Sequence, residues 1–317
     1  MQRMRLITDL PESVAARIRD LVFRGRYDST QSFVLAAVEN QLALEAAPES
    51  FGLEGVAESA ALLQRPSAAP EVVGGGKGSE RPLDPMINRF FPVKLGARVL
   101  ANLLLREQRE NVLRRDLEAA AAQAAREYGL FLLDLDVKVG RRRWERLSTG
   151  LPVGPKERAS KKRYVASFLC GDGEGALEAL GLCARSANLV GEQVVGLTKA
   201  GADLALLESP LLDAGHYSAA LSAAEVEFLR EHVAGSVPGE AEAARVVLGV
   251  FREGAESQAV VLAAIGARYA VSGGALEQMA AGMLARLREL GAIGVAGTGA
   301  KATYQAGAGA RSFLASQ

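Results

Sequence analysis

The chain has 317 residues, of which 49% are hydrophobic, 23% charged and only 5% aromatic, and its Lys and Arg balance its Asp and Glu to a net charge of zero. This length allows two or three domains, and the composition excludes a chain that is disordered throughout. No apolar run reaches the roughly 18 residues of a membrane span, and charged and polar residues interrupt the N-terminal stretch from residue 9. A cytoplasmic protein without membrane contact is therefore expected. Cys170 and Cys183 have no histidine near them in sequence, His216 and His232 being distant, so neither a zinc site nor a structural disulfide is expected.

Residues 3–10 alternate as a strand does, with Met4, Leu6, Thr8 and Leu10 on one face and Arg3, Arg5, Ile7 and Asp9 on the other. Pro11, Glu12 and Ser13 start a helix, since Pro is tolerated in a first turn. Val14, Ile18, Leu21 and Val22 follow at helical spacing, and Gly25 ends the helix. Ser29 caps a second helix whose stripe is Phe33, Val34, Ala37, Val38 and Leu42. A unit of about forty residues rarely buries enough surface to fold alone. Two copies that pair their strands and interlock their helices remove that problem and leave no strand unpaired.

The segments LPESVAARIRDLV and GRYDSTQSFVLAAVENQL resemble the ribbon-helix-helix family of DNA-binding proteins, over residues 3–45. The resemblance implies a homodimer held through Val14, Ile18, Leu21, Phe33, Val34, Val38 and Leu42. It also implies paired strands in the major groove, with Arg3, Arg5, Ile7 and Asp9 toward the bases and Ser29 on the DNA side. Asp9 departs from the family, which commonly has a polar or basic residue there. An acid repels phosphate but can accept from cytosine N4, and Ile7 can touch a thymine methyl. The competing reading is a dimerisation device without a DNA face.

Residues 48–88 are rich in Ala, Pro, Glu, Ser and Gly, which predicts a flexible linker. The run Gly74, Gly75, Gly76, Lys77, Gly78 lacks a preceding strand and P-loop spacing, so it is not read as a phosphate loop. In residues 89–213, Val93, Ala97, Leu100, Leu103 and Leu104 fit one helix. Asn111 is expected to cap an alanine-rich helix that stops at Gly129, LFLLDLDVKV to form a short strand, and Ser160 to cap the helix KKRYVASFLC. GALEALGL is a short helix, a hairpin closes at Gly191 and Glu192, and Thr198 caps TKAGADLALL.

Residues 138–163 carry ten bases against two acids, a local charge of +8 in a neutral chain. Either this stripe binds phosphate, led by Arg141, Arg142, Arg143, Lys161, Lys162 and Arg163, or it is a solvated loop. The segment VGLTKAGADLALLESPLLD, with the helices and hairpin before it, resembles archaeal and bacterial winged-helix regulators over about residues 160–213. That resemblance implies that the helix before the hairpin enters the major groove. Lys161, Lys162 and Arg163 would then stand at its N-terminus beside free backbone N–H groups.

Residues 214–317 repeat the scheme. Ser222 and Glu225 form a capping box, Pro238 opens the next helix, VVLAAIGARYA is a third, and Ser272 caps ALEQMAAGMLARLRELG, which ends at Gly291. IGVA and ATYQA make a hairpin around GTGAK. The order LARLREL then GAIGVAGTGAKATYQA resembles a second winged helix. Its positive complement is thin, namely Arg286, Arg288 and Lys301, which favours dimerisation or a protein partner over DNA.

No GxSxG, HExxH, Cys–His–Asn or contextual Walker lysine occurs. Asp134 and Asp136, two apart on the expected strand and followed by Lys138, are the best carboxylate pair, but a third carboxylate and a general base are missing. Trp144, among arginines, either stacks on a base or anchors a loop. No catalytic, metal or cofactor residue is assigned, and no enzyme activity is expected. The expected architecture is mainly α with short β: a ribbon-helix-helix module (1–47), a flexible linker (48–88) and tandem winged-helix domains (89–213 and 214–317). The expected function is that of a homodimeric, sequence-specific DNA-binding protein, a transcriptional regulator. Its expected partners are double-stranded DNA, a second copy and a protein for the C-terminal domain. Two alternatives stand: an antitoxin- or partition-type protein whose C-terminal domains grip a protein, and an architectural or replication-associated protein that binds DNA without sequence preference.

Overall fold

The computed structural model describes residues 12–23, 29–35, 37–38, 57–142, 145–170, 175–251, 254–296 and 302–315. These are mainly helical, with two small antiparallel sheets. Helix α1 spans Glu12–Phe23. Residues 30–35 and 37–38 are also helical. Ser29 caps that second segment reciprocally: its Oγ accepts the Ser32 N–H (3.1 Å), and its own N–H donates to Ser32 Oγ (3.0 Å). Ile18 is buried, while Val14, Phe23, Leu35 and Val38 are exposed. The expected strand with Arg3, Arg5, Ile7 and Asp9 lies outside the described residues, as does Leu42.

One order of elements then occurs twice: helix, strand, helix, helix, hairpin. The first run is α3 (Phe91–Glu107), β1 (Val112–Leu113), α4 (Arg114–Val139), α5 (Glu157–Phe168), a single turn α6 (Ala176–Ala179), β2 (Cys183–Ala187) and β3 (Gln193–Leu197). Helices α7 (Lys199–Leu206) and α8 (Ala223–Ser236) lead to the second run. That run is α9 (Pro238–Val250), β4 (Glu256–Ser257), α10 (Gln258–Tyr269), α11 (Gly273–Glu289), β5 (Ile293–Ala296) and β6 (Thr303–Ala306). In each sheet the last strand lies in the middle, giving the orders β1-β3-β2 and β4-β6-β5. Val112 faces Val195 and Cys183 faces Leu197 in the first, and Glu256 faces Tyr304 in the second.

Helix α3 is the centre of the packing. Val93, Leu95, Ala97, Val99, Leu100 and Leu103 point to different sides of it, yet all are buried. A helix that is apolar all round belongs inside a protein. Two of its cations, Lys94 and Arg98, are one turn apart and also fully buried. Lys94 Nζ meets Glu225 of α8 (2.9 Å) and donates to the Leu204 and Leu207 carbonyls at the end of α7. Arg98 forks onto Asp213 (2.7 and 2.9 Å) and donates to the Leu63 and Leu207 carbonyls. Both side chains thus satisfy carbonyls that a helix end leaves orphaned. Burial lowers the Lys94 ammonium to about 8 despite the Glu225 carboxylate, which opposes that fall.

Several local expectations hold. The Ser222–Glu225 capping box forms with both bonds, Pro238 stands in the first turn of α9, and Thr198 Oγ1 caps α7 by accepting the Gly201 N–H. The first hairpin turns at Asn188, whose Oδ1 accepts from Val190 and Glu192, and Gly191 takes φ +82°. The cysteines are free and buried, with their sulfurs 3.3 Å apart. That contact, and then burial, push the Cys183 thiol up.

Other expectations are corrected. LFLLDLDVKV is not a strand: it is the C-terminal part of the 26-residue helix α4, which runs through Gly129 and ends at Val139. Gly129 is buried, and a Cβ there would lie 2.9 Å from Leu151 and Val153, so the glycine admits the following loop rather than stopping the helix. Leu113, not Asn111, is the N-cap of α4. Helix α5 begins at Glu157, and Ser160 Oγ instead accepts the Gly154 N–H (3.1 Å).

The expected flexible linker is, from residue 57 on, a packed strap. Its helix α2 (Ala57–Leu63) lies on α3 and α4, and Leu62, Leu63, Leu83 and Ile87 join the core. Val73 N–H donates to Leu197 O, Ser79 N–H to Ala179 O, and Gly239 N–H to Ser79 O. A Cβ at Gly239 would lie 2.2 Å from the Arg81 backbone, so only glycine lets the strap pass α9. Arg286 of α11, 1% exposed, clamps the strap's end: it grips Glu240 (2.6 and 3.0 Å) and donates to the Ile87 and Asp84 carbonyls. Arg286 is therefore structural rather than part of a positive surface.

Candidate nucleic-acid interface

Helix α4 shapes the basic stretch that follows it. Asp136, fully buried, accepts from the Leu147 and Ser148 N–H groups and Ser148 Oγ (3.0, 3.0 and 2.6 Å), and it pairs with Arg141 (3.1 Å). Arg141 also donates to Tyr217 O. Arg126 donates to the Pro152 and Gly154 carbonyls (2.6 and 2.8 Å). These bonds fold the loop back on α4 and launch α5. They also separate the expected carboxylate pair. Asp136 is a structural acceptor, and Asp134 is exposed and paired with Lys138 (2.8 Å). Residues two apart on a helix point to different sides, so the two carboxylates do not share a face. Among the described residues, no group of three or more His, Cys, Asp and Glu could hold a metal.

The basic residues divide accordingly. Arg141 is spent on loop structure, Arg142 is exposed, and Arg143 and Trp144 lie outside the described residues. Lys161 binds Glu157 and Gln123. Its hydrogen bond and charge hold the Glu157 carboxyl below its ordinary value. Lys162 and Arg163 are exposed in the second turn of α5, not at its start. The start itself has no side-chain cap, and Lys156, Arg158 and Lys162 line the depression there together with Glu157, which Lys161 neutralises. Uncapped N–H groups and three cations suit an anion. Sequence reasoning misses Lys156 and Arg158 as leads because Ser160 as a cap places the start of α5 too late. Arg163 lines the adjoining groove with Asn88 and Ser160.

The hairpin β2–β3 presents an apolar tip, Leu189 and Val190, both strongly exposed. Its flanking charges are paired, Arg185 with Glu178 and Arg115 with Glu192. The second run offers no comparable basic helix among the described residues. Helix α11 exposes Ala275, Glu277, Gln278, Ala281 and a single cation, Arg288, its Arg286 is buried, and Lys301 lies outside the described residues. Of the expected dimer residues, Ile18 is buried, Phe33 and Val34 are half-buried, and Val14 and Val38 are 41% and 39% exposed.

No protein-family model matches the chain, and no curated protein or solved structure shows significant similarity to it. Among the described residues no single helix is long and apolar enough to cross a membrane.

Proposed function

We propose that the chain is a homodimeric, sequence-specific DNA-binding protein of the cytoplasm, a transcriptional regulator without enzyme activity. In this reading the N-terminal module is a ribbon-helix-helix dimer, and each repeated run is a winged helix. The observation that carries it is the uncapped start of α5, the helix before α6 and the first hairpin, where Lys156 and Arg158 are exposed, Lys162 and Arg163 follow in the next turn, and Glu157 is paired with Lys161. Three further features support it. The repeated element order ends in a hairpin whose second strand is central, as a wing requires. The apolar residues Val14, Phe23, Leu35 and Val38 are exposed in a single chain, which suits a partner copy. The exposed positions of α11, with one acid (Glu277) and one base (Arg288), carry no net positive charge, which favours a protein partner over DNA for the second run.

The test is duplex binding across a salt series. Replacing Lys162 and Arg163 with alanine should lower affinity for every duplex and reduce the slope of log affinity against log salt by roughly 0.9 for each phosphate no longer neutralised. Arg141→Ala, by contrast, should lower the melting temperature, because it strips Asp136 of its cation. An unchanged salt slope in the double variant would refute the assignment of α5.

A further inference from the structure

The loop after α4 delivers a second basic feature that no local pattern announces. Arg89 from the strap, Arg146 from the loop and Arg288 from the last turn of α11 line one cavity of about 420 Å³. They come from positions far apart in the chain, so the fold alone unites them. Two polar atoms here are shut off from solvent without a hydrogen-bond partner: Arg146 Nε and Asn88 Oδ1. Buried polar atoms without partners are uncommon, and each raises the question of what completes it. Outside the lining, Glu289 Oε1 approaches Arg89 at 3.9 Å and is likewise buried without a hydrogen-bond partner. Leu133, Leu151 and Val153 add apolar lining.

We propose that this cavity binds a small phosphorylated ligand with a flat apolar body, of nucleotide size. Guanidiniums match phosphate oxygens in fork geometry and remain charged at any physiological pH. No carboxylate lines the cavity with these guanidiniums, so a phosphate ester supplies the negative charge there. The Asn88 oxygen is an acceptor waiting for a ligand N–H, which the edge of a nucleobase carries. The volume falls in the range of ligand pockets, whereas a duplex is too wide to enter it. The cavity shares no residue with the depression at the start of α5, although Asn88 also lines the groove of Arg163, and it does not depend on whether those cations bind DNA.

The experiment is calorimetric titration of the full chain with adenosine diphosphate, guanosine diphosphate and inorganic pyrophosphate, followed by competition with a 20-base-pair duplex. At least one nucleotide should bind once per chain and at least tenfold tighter than pyrophosphate. Arg288→Gln, at an exposed position that leaves the core untouched, should weaken that binding at least tenfold, and Arg146→Gln should do likewise. Wild type and variants should melt at the same temperature without ligand. Three results would overturn the proposal: no nucleotide binding at millimolar concentration, binding that both variants leave unchanged, or full displacement by the duplex. The last would assign the arginines to a DNA surface. Equal affinity for pyrophosphate would remove the apolar body from it.

Discussion

Replacing Arg286 with methionine tests whether residues 57–88 are held in place as a strap. Methionine occupies much of the arginine stem's volume without a charge. Four hydrogen bonds disappear: two to Glu240 and one each to the Ile87 and Asp84 carbonyls. The larger cost is the Glu240 carboxylate, 4% exposed, left without its cation. Removing one partner of a buried pair costs roughly 3–5 kcal/mol. Glu240→Gln in the same chain removes the stranded charge while keeping an acceptor for the Leu83 N–H, now at 3.0 Å. The double variant should therefore recover part of the loss, giving a coupling of about 1–3 kcal/mol. Urea unfolding followed by circular dichroism measures the energies, and hydrogen exchange reads the strap directly. Amides of Val73, Ser79 and Leu83 should be protected in wild type, and that of Leu83 should lose protection in Arg286→Met. A single-variant cost below about 1 kcal/mol, or unprotected strap amides in wild type, would refute the clamp.

Two further outcomes follow from the same geometry. Phe33→Ala should shift full-length protein from dimer toward monomer in sedimentation at micromolar concentration; a wild type that sediments as a stable monomer would end the ribbon-helix-helix reading. Burial raises the Glu289 carboxyl from 4.5 to about 7, against the opposing pull of Arg89 and the Phe90 N–H. Its folded value lies above its unfolded one, so its contribution is full below pH 4.5 and is lost as pH rises through 7. Glu289→Gln should therefore gain stability over wild type between pH 5 and 8 by an amount approaching roughly 3 kcal/mol. A pH-independent difference would contradict this.

What can be read in the sequence is local. The Ser222–Glu225 box, Thr198, Pro238 and the Gly191 turn depend on residues within a few positions of one another, and each forms. Helix α4 is hidden because Gly129 looks like a stop, whereas its bare Cα admits Leu151 and Val153. Nothing near Gly129 in sequence announces that approach. The strap is hidden for the same reason at longer range: Leu83 meets Glu240 across 157 residues, and Ile87 meets Arg286 across 199. A segment poor in apolar residues looks unable to fold until its distant partners are known. Charge misleads as well. Lys94, Arg98, Arg141 and Arg286 look like surface residues in sequence but bind carbonyls and carboxylates inside. The cavity of Arg89, Arg146 and Arg288 has no signal at all, because no two of them are neighbours in sequence.

The central claim, that this protein reads a DNA sequence as a dimer, is tested most directly by selecting binding sites from random duplexes with wild type and with Arg5→Ala. The account predicts that wild type enriches a motif of two half-sites related by a dyad. Arg5→Ala should lose preference at one position in each half-site, at a cost of roughly 1–3 kcal/mol, while its affinity for random DNA falls much less. Duplexes retained by wild type with no motif beyond the input pool would contradict sequence-specific binding. The same motif at the same strength from Arg5→Ala would contradict the strand as the element that reads it.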